Sequence, residues 1–396
     1  MDLIYSLLPA DMPFWLAIAI ATLVPGIILV SGMAAGPVLY VYAETKIAGF
    51  MQDRIGPKRV GPHGMLQSIA DTVKLLFKEA IFPAGVDKLL FVVAPCLVVI
   101  GAFMPLLVIP FGKGLQTADL NVGVFYVTAI ASISTVGLIM AGWASNNKYA
   151  LFGAMRSAAQ IVSYEIPAVM SLLLPVMIVG SLSLQDLVAG QAGGVTRWFV
   201  FRYFPLMPIA FLIFFVATLA ECNRAPFDIP EAESELVAGF HTEYSGFFFA
   251  MFFLAEYTEM LVVSSTAAVL FLGGWHSPFP NGFLDSVPGT AIPLGPFWLI
   301  GKAWFLMFVQ AWLRWTLPRI RVDQLMYVAW KVLLPVAMAL VVVIGLLVMW
   351  PATARGFGIW DSIAAVVLSL ALVGYLVGTA FRAYGTKAGT IGEAAA

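Results

Sequence analysis

The sequence has few charged residues for its length. Only 11% of its 396 residues are charged, whereas 61% are hydrophobic; a soluble domain has about 25% charged residues. This composition excludes an ordinary soluble fold and indicates a protein with several membrane spans. The net charge is -1, and Lys and Arg are spread over several loops, which argues against nucleic acid as a partner.

Cysteine and histidine are also scarce, and this limits the cofactors that the chain can hold. Cys96 and Cys222 lie far apart in the sequence, and the three histidines are scattered. An iron-sulfur cluster needs clustered thiolates, and a membrane haem needs facing His or Met ligands. We therefore expect no metal site and no redox cofactor on this chain. The N-terminus lacks the basic segment of a secretory signal, so we expect the first span to act as its own insertion signal.

Apolar runs long enough to cross a bilayer core, about 20 residues each, recur along the chain. They fall near residues 13–42, 89–111, 122–144, 161–181, 204–221, 247–272, 297–317, 332–351 and 361–381. These runs predict an all-α polytopic membrane protein with about nine transmembrane helices. We treat residues 1–396 as a single transmembrane domain, in which residues 352–396 form an additional C-terminal helix and tail.

Lys and Arg divide unequally between the two sets of connecting loops. One set carries 16 of them, and the other carries only Lys113, Arg197, Arg202, Lys302 and Arg355. Because basic residues favour cytoplasmic loops, the richer set is predicted to face the cytoplasm. The N-terminus is then outside and the C-terminus cytoplasmic.

The first cytoplasmic loop, residues 43–88, has two parts. Two Gly-Pro pairs in residues 54–64 exclude a regular helix there. Apolar residues then recur at helical spacing opposite polar ones, at Met65, Ile69, Val73, Leu76 and Phe77. This pattern predicts an amphipathic helix over residues 65–79, which could lie in the membrane interface or pack against a soluble partner.

Acidic residues concentrate in a later cytoplasmic loop, residues 221–246. Five of them fall within 15 residues: Glu221, Asp228, Glu231, Glu233 and Glu235. Part of this cluster has an ordinary explanation, because Asp228 and Glu231 have the spacing of an N-cap and a capping box. Acids in a first helical turn are also stabilised by the helix dipole. That explanation does not cover Glu221, at the inner end of the fifth span.

Three further acids lie within predicted spans. Glu165 is predicted to begin the fourth span, where pairing with Arg156 is the ordinary alternative. Glu256 lies about nine residues into the sixth span, roughly 13 Å along its axis, and Glu259 lies one turn deeper on nearly the same face. Carboxylates at that depth are costly and indicate a functional site. We expect a proton-handling chain of carboxylates if the fourth, fifth and sixth spans are neighbours.

Four segments, residues 44–57, 61–79, 156–165 and 223–240, resemble one family. It is the H-subunit family of respiratory complex I, the proton-pumping NADH:quinone oxidoreductase, and the resemblance runs from residue 13 to about 351. Members of that family lie at the junction of the peripheral and membrane arms. They form the quinone entrance and chamber and the start of an acidic proton-coupling channel.

The resemblance implies an enzyme role only as a subunit of this translocase, with quinone as substrate and with NADH and iron-sulfur clusters on partner subunits. The implied partners are the peripheral-arm iron-sulfur and quinone-site subunits, the small and antiporter-like membrane-arm subunits, and the lipid bilayer. The implied location is the bacterial plasma (inner) membrane, or the mitochondrial inner membrane for an organellar chain.

Matching positions assign roles to individual residues. The implied proton channel comprises Glu165, Glu221, Glu231, Glu233 and Glu256, to which we add their neighbours Glu235 and Glu259. The implied quinone-entrance side contains Glu44, Lys46 and Arg54. This chain departs from the family pattern at Thr45 and Lys58, where Arg and Asn are common, and at Glu259, where a neutral residue is usual.

Three alternatives are compatible with parts of the pattern, and one of them, a purely structural anchor, would leave Glu256 and Glu259 without a role. A homologous junction subunit of an energy-converting membrane hydrogenase would keep the acidic channel but would need no entrance for a lipid tail. A stand-alone transporter would show inverted repeats, and none is visible in the sequence.

Overall fold

The computed structural model of the chain describes residues 13–113, 115–230, 233–280 and 294–349, together with positions 367, 371, 374, 375 and 378. Within these residues every regular element is a helix, and the one β contact is an isolated bridge between Gly112 and Leu115. The predicted all-α class is therefore confirmed for the described part of the chain.

Thirteen α-helices follow one another along the described residues. They are α1 (Phe14–Met51), α2 (Gln67–Phe77), α3 (Lys88–Phe103), α4 (Gly123–Ala131), α5 (Ile133–Ala144), α6 (Lys148–Val179), α7 (Leu184–Ala189), α8 (Leu206–Glu221), α9 (Glu233–Leu236), α10 (Gly246–Phe271), α11 (Gly295–Thr316), α12 (Val322–Tyr327) and α13 (Leu334–Met349). A π-helix, Val328–Leu333, joins α12 to α13.

Six described helical segments are long and apolar enough to cross a membrane. They are Lys88–Leu107, Gly123–Ala144, Lys148–Val179, Gly246–Phe271, Gly295–Thr316 and Val322–Met349. Helix α1 covers the first predicted run, and α8 covers the fifth with only 16 residues. The last predicted run, 361–381, lies mostly outside the described residues. The predicted total of about nine spans therefore stays a prediction.

Two helices extend beyond the spans predicted from hydropathy. Helix α1 continues to Met51, so the first part of the predicted loop 43–88 is helical. Helix α6 begins at Lys148 instead of near residue 161, because the Asn147 side chain caps it by accepting a hydrogen bond from the Tyr149 amide at 2.9 Å. Glu165 consequently lies near the middle of a 32-residue helix, and its predicted place at the membrane boundary of the fourth span stays a prediction.

The loops predicted to be cytoplasmic meet at one end of the helix bundle. The Ile81 amide donates to Ser245 Oγ at 3.1 Å, and Asn147 Nδ2 donates to Glu243 Oε1 at 2.6 Å. The Ile320 amide donates to the Pro226 carbonyl at 3.1 Å. The grouping of these loops agrees with the distribution of Lys and Arg, and the side of the membrane that this end faces stays a prediction.

The acidic loop does not begin a helix where the sequence predicted one. Asp228, Ile229 and Pro230 are non-helical, and α9 covers Glu233–Leu236. Asp228 Oδ2 instead accepts a hydrogen bond from Arg319 Nη2 at 2.8 Å. An ion pair to a distant loop therefore takes the place of the predicted N-cap.

Helix α2 confirms the predicted amphipathic helix, shortened to Gln67–Phe77. It packs against α1 and α10, while Ile69, Val73 and Phe77 remain exposed. These apolar side chains can contact a bilayer or another protein, so both alternatives stay open.

Close contacts between small residues hold the helices around the central part of the bundle. A Cβ atom at Gly101 of α3 would lie 2.8 Å from the Ser134 backbone nitrogen of α5. Only glycine permits this approach, which fixes α3 against the junction of α4 and α5. That junction forms one wall of the cavity described next.

Candidate functional site

A partly open cavity of about 60 Å³ lies among α3, α4, α6, α8 and α10, and Ser132 borders it from the break between α4 and α5. Three carboxylates line it, from Glu165 on α6, Glu221 at the end of α8 and Glu259 on α10. Four hydroxyl side chains also line it, from Thr128, Ser132, Thr218 and Thr266, and the other lining residues are apolar. We call this space the acidic cavity. The structure therefore brings together acids from the fourth, fifth and sixth predicted spans.

Glu165 is held by the short break between α4 and α5. Ser132 lies in this break, between Ala131 and Ile133, and its hydroxyl donates a hydrogen bond to Glu165 Oε1. The interruption of the helix thus places a hydroxyl donor opposite the middle of α6.

Glu221 and Glu259 are in a different situation. Among the residues that the structure describes, neither carboxyl group forms a hydrogen bond or an ion pair, and both side chains are half-buried at the cavity wall. Of the lining residues, none is Lys, Arg or His. The acidic cavity therefore contains three carboxyl groups and no basic side chain from its own walls.

The polar groups of the cavity are arranged for water. Thr218 Oγ1 donates to the Phe214 carbonyl at 2.8 Å, but the buried Thr266 Oγ1 has no hydrogen-bond partner within the described part of the chain. A buried polar atom of this kind normally binds an ordered water. Because one water occupies about 10–15 Å³ of such volume, the cavity has room for about four.

Glu256 faces a different environment from Glu259. Arg224 Nε lies 2.9 Å from Glu256 Oε1, and their side chains are only 5% and 19% exposed. The Arg224 guanidinium carbon lies 4.2 Å from the centre of the Tyr257 ring. Glu256 does not line the acidic cavity. The predicted pair of α10 acids is thus divided between two environments.

Glu44 belongs to the same charged region as Glu256. Its carboxylate is buried, pairs with the Arg314 guanidinium and accepts a hydrogen bond from the Tyr257 hydroxyl at 2.6 Å. Tyr257 therefore touches both a carboxylate and a guanidinium. We call Glu44, Arg224, Glu256, Tyr257 and Arg314 the charged cluster.

The other two residues predicted for the quinone-entrance side make local contacts. Lys46 Nζ donates to the Pro57 carbonyl at 2.6 Å, which ties the end of α1 to the Gly-Pro segment. Arg54 Nε donates to Gln52 Oε1 at 2.6 Å and is exposed. The structure places Lys46 and Arg54 at the loop end of α1, close in sequence to Glu44 but outside the charged cluster.

The structure describes only some of the acidic side chains in the loop after α8. Glu231 lies outside the described residues, and only the backbone of Glu233 is described. Glu235 Oε2 lies 2.5 Å from Arg156 Nη1, at an exposed position. Pairing with Arg156 was the ordinary alternative for Glu165, and the structure pairs Arg156 with Glu235 instead.

His241 lies later in the same loop, in the turn Gly239–His241. Its ring contacts those of Phe240 and Phe249, with ring centres 4.9 and 5.4 Å away. Burial lowers the pKa of His241, while the nearby Glu256 and Asp228 act in the opposite direction. The histidine is therefore predominantly neutral at neutral pH.

Sequence reasoning missed several members of the site. Arg224 lies inside a recognised motif and Tyr257 lies next to Glu256, so each had a local signal. Ser132 and Thr266 had none, because a hydroxyl in an apolar run is common. Among the described residues no group of three or more His, Cys, Asp or Glu side chains could hold a metal ion.

Comparison with known proteins identifies the family of the chain. The family described as NADH dehydrogenase matches residues 24–345. The H subunit of NADH-quinone oxidoreductase from Chlorobaculum tepidum is 56% identical over 299 residues, which cover 74% of this chain and 83% of that protein. The H subunit from Bacteroides fragilis is 44% identical over 354 residues (88% and 96% covered), and that from Rhodospirillum centenum is 50% identical over 326 residues (81% and 93% covered). The chain therefore belongs to the NADH dehydrogenase family, which includes the H subunits of NADH-quinone oxidoreductases.

Proposed function

We propose that this chain is the membrane subunit of a proton-pumping NADH-quinone oxidoreductase that lies at the junction of the peripheral and membrane arms. It lines the quinone entrance and chamber and contains the start of an acidic channel for protons. The names and high identity of its relatives support this role over that of a hydrogenase subunit.

The acidic cavity is the observation that carries the proposal. Proton movement through a bilayer needs titratable groups that are close to one another or bridged by water. Glu165, Glu221 and Glu259 come from three different helices and border one space with room for about four waters. The loop acid Glu235 and its neighbours Glu231 and Glu233 follow α8 directly in the chain and would connect this space to the cytoplasmic end.

The quinone side is proposed for the region between the charged cluster and α2. Helix α2 packs against α1 and α10 and leaves apolar side chains exposed, which suits contact with a lipid tail. Glu44 lies in the charged cluster, and Lys46 and Arg54 lie at the adjacent end of α1. A change of charge during quinone reduction would alter the electrostatic energy of the charged cluster. Because α10 carries residues of both sites, it would also alter the energy of charges in the acidic cavity.

In this proposal the electrons come from partner subunits, which bind NADH and the iron-sulfur clusters, and quinone is the substrate. Small and antiporter-like membrane subunits would receive the signal from the acidic cavity. The chain would lie in the bacterial plasma (inner) membrane, or in the mitochondrial inner membrane for an organellar chain.

The test is Glu221→Gln in the assembled complex. We expect quinone reduction and proton translocation to fall by about tenfold or more, because a positioned proton-transfer group contributes at least this much. Electron transfer from NADH to a hydrophilic acceptor at the peripheral arm should not change, which shows that the complex has assembled. Asp119→Asn, at an exposed position in the loop before α4, is the control. Normal quinone reduction and proton translocation in Glu221→Gln would overturn the proposal.

A further inference from the structure

Helix α10 carries two carboxylates three residues apart, Glu256 and Glu259. At 100° and 1.5 Å per residue, they differ by roughly 60° around the helix axis and about 4.5 Å along it. This small rotation is enough to direct them into different surroundings. Glu256 meets Arg224 at 2.9 Å, and Glu259 borders the acidic cavity.

We propose that Glu259, and not Glu256, is the α10 carboxyl group that exchanges protons with the acidic cavity, whereas Glu256 stays ionised and positions Arg224. The inference rests on the proposed function and assigns the two acids of that site to different roles. A proton from a cavity water or from Glu221 binds a Glu259 carboxylate oxygen and later leaves it. No electron moves in this step.

The surroundings of Glu256 stabilise its ionised form. Its partner Arg224 is only 5% exposed and lies over the Tyr257 ring, 4.2 Å from the ring centre. A buried guanidinium is always protonated, so removing the charge of Glu256 would take away a counter-ion of a buried cation. Glu256 is thus suited to fixing Arg224 and poorly suited to carrying protons.

The surroundings of Glu259 favour proton exchange. Its carboxyl group has no ion pair among the described residues, and the cavity that it borders has two other acids and no basic side chain in its wall. The carboxylates of Glu221 and Glu259 line one cavity without a cation in its wall and repel each other, so one proton shared between them is favoured over two charges. Glu259 can accept that proton without breaking any ion pair found among the described residues.

Thr266 provides independent support for water beside Glu259. It lies seven residues further along α10, about 10 Å along the axis. Its buried hydroxyl lines the cavity and lacks a partner within the described residues. A water bound to Thr266 would extend a chain of waters along the cavity beyond Glu259. Glu259 would then lie between the two ends of that chain.

The test compares Glu259→Gln with Glu256→Gln in the assembled complex, by proton translocation and by infrared difference spectra of protonated carboxyl groups. We expect Glu259→Gln to lose one carboxylic-acid band and to lower translocation by about tenfold or more. Glu256→Gln should keep that band in spectra recorded over a range of pH, because removing the Glu256 charge alters the proton occupancy of Glu259 but not the presence of its carboxyl group. Glu259→Asp, which keeps a carboxyl group at the cavity wall, should restore translocation at least in part. Asp119→Asn is the control for a lost surface charge.

A second variant keeps the test decisive if Glu259→Gln does not assemble. Arg224→Gln removes the cation beside Glu256 and should produce a new carboxylic-acid band, which is absent from the double variant Arg224→Gln/Glu256→Gln. The inference is overturned if Glu256→Gln removes the native band at every pH tested, if Glu259→Gln leaves band and translocation unchanged, or if Arg224→Gln produces no new band.

These outcomes separate the inference from the proposed function. If Glu259→Gln is silent but Glu221→Gln still abolishes translocation, the proposed function stands and the inference fails. If both variants translocate protons normally, the proposed function fails as well.

Discussion

Gly153 of α6 lies directly against the backbone of the acidic loop. A Cβ atom at this position would lie 2.6 Å from the Gly239 Cα and 2.8 Å from the Gly239 carbonyl carbon. Both are backbone atoms, so no side-chain rotation relieves the contact, and the loop has to move away from α6. Gly153→Ala is therefore expected to displace the turn that contains His241, just before α10.

The size of the effect follows from two opposing contributions. Replacing Gly by Ala inside a helix stabilises it by about 0.5–1 kcal/mol, whereas forcing an extra methyl group into a packed contact costs about 1–3 kcal/mol. Gly301 of α11 is a matched control, because a Cβ atom there meets nothing within 4 Å. Since both variants gain the same helix preference, Gly153→Ala should be less stable than Gly301→Ala by the packing cost, about 1–3 kcal/mol.

Hydrogen exchange of the loop amides in the assembled complex measures this difference. A local loss of about 1.4 kcal/mol raises the opening constant roughly tenfold, so a loss of about 1–3 kcal/mol should make amides 237–244 exchange about 5 to 150 times faster in Gly153→Ala. The same amides should keep wild-type rates in Gly301→Ala. Equal rates in the two variants would refute the idea that α6 fixes the acidic loop through this contact.

Two further predictions concern His241 and Lys302. Burial lowers the pKa of His241, so its contribution to loop stability is complete above the unfolded value of about 6.5 and is lost as the pH falls toward the lowered pKa. Loop exchange, corrected for its intrinsic pH dependence, should therefore rise as the pH falls below about 6.5 in the wild type but not in His241→Gln; a rise in both contradicts this. Lys302 Nζ donates to the carbonyls of Leu272, Gly274 and His276 at 2.7–2.9 Å, so Lys302→Met should destabilise the segment after α10 by about 3 kcal/mol. The amides of residues 272–278 should exchange faster in Lys302→Met than in the wild type. If the increase is no larger than in the exposed control Lys113→Met, the three hydrogen bonds of Lys302 do not stabilise this segment.

Hydropathy predicted the helices well where they are apolar and poorly where they are not. The runs at 122–144 and 247–272 end within a residue or two of the observed segments. The run at 161–181 missed the first 13 residues of α6, which are more polar and start at the Asn147 cap. An apolar run reports burial in lipid, whereas a helix continues wherever its backbone hydrogen bonds are satisfied, so the two need not coincide in loops.

The carboxylates could be predicted, but their partners could not. Glu165, Glu221 and Glu259 were recognisable because acids are rare in apolar spans. Whether each one faces water, a hydroxyl or a cation depends on residues 33 or more positions away, such as Ser132 for Glu165. Asp228 shows the same limit of local sequence patterns. Its spacing predicted an N-cap, but its carboxylate instead pairs with Arg319, 91 residues along the chain.

The charged cluster and the acidic cavity differ in charge balance, and α10 connects them. The cluster sets the carboxylates of Glu44 and Glu256 against the guanidinium groups of Arg314 and Arg224, so its charges nearly cancel. The cavity has acids alone among its ionisable lining residues. Side chains three residues apart on a helix are about 6 Å apart, so the charge of Glu256 contributes about 3 kcal/mol to the energy of a charge on Glu259 at an effective dielectric constant of 20. That energy corresponds to about a hundredfold in proton occupancy, so the ionised Glu256 favours a proton on Glu259 and the opposite charge of Arg224 opposes it, without any movement of α10.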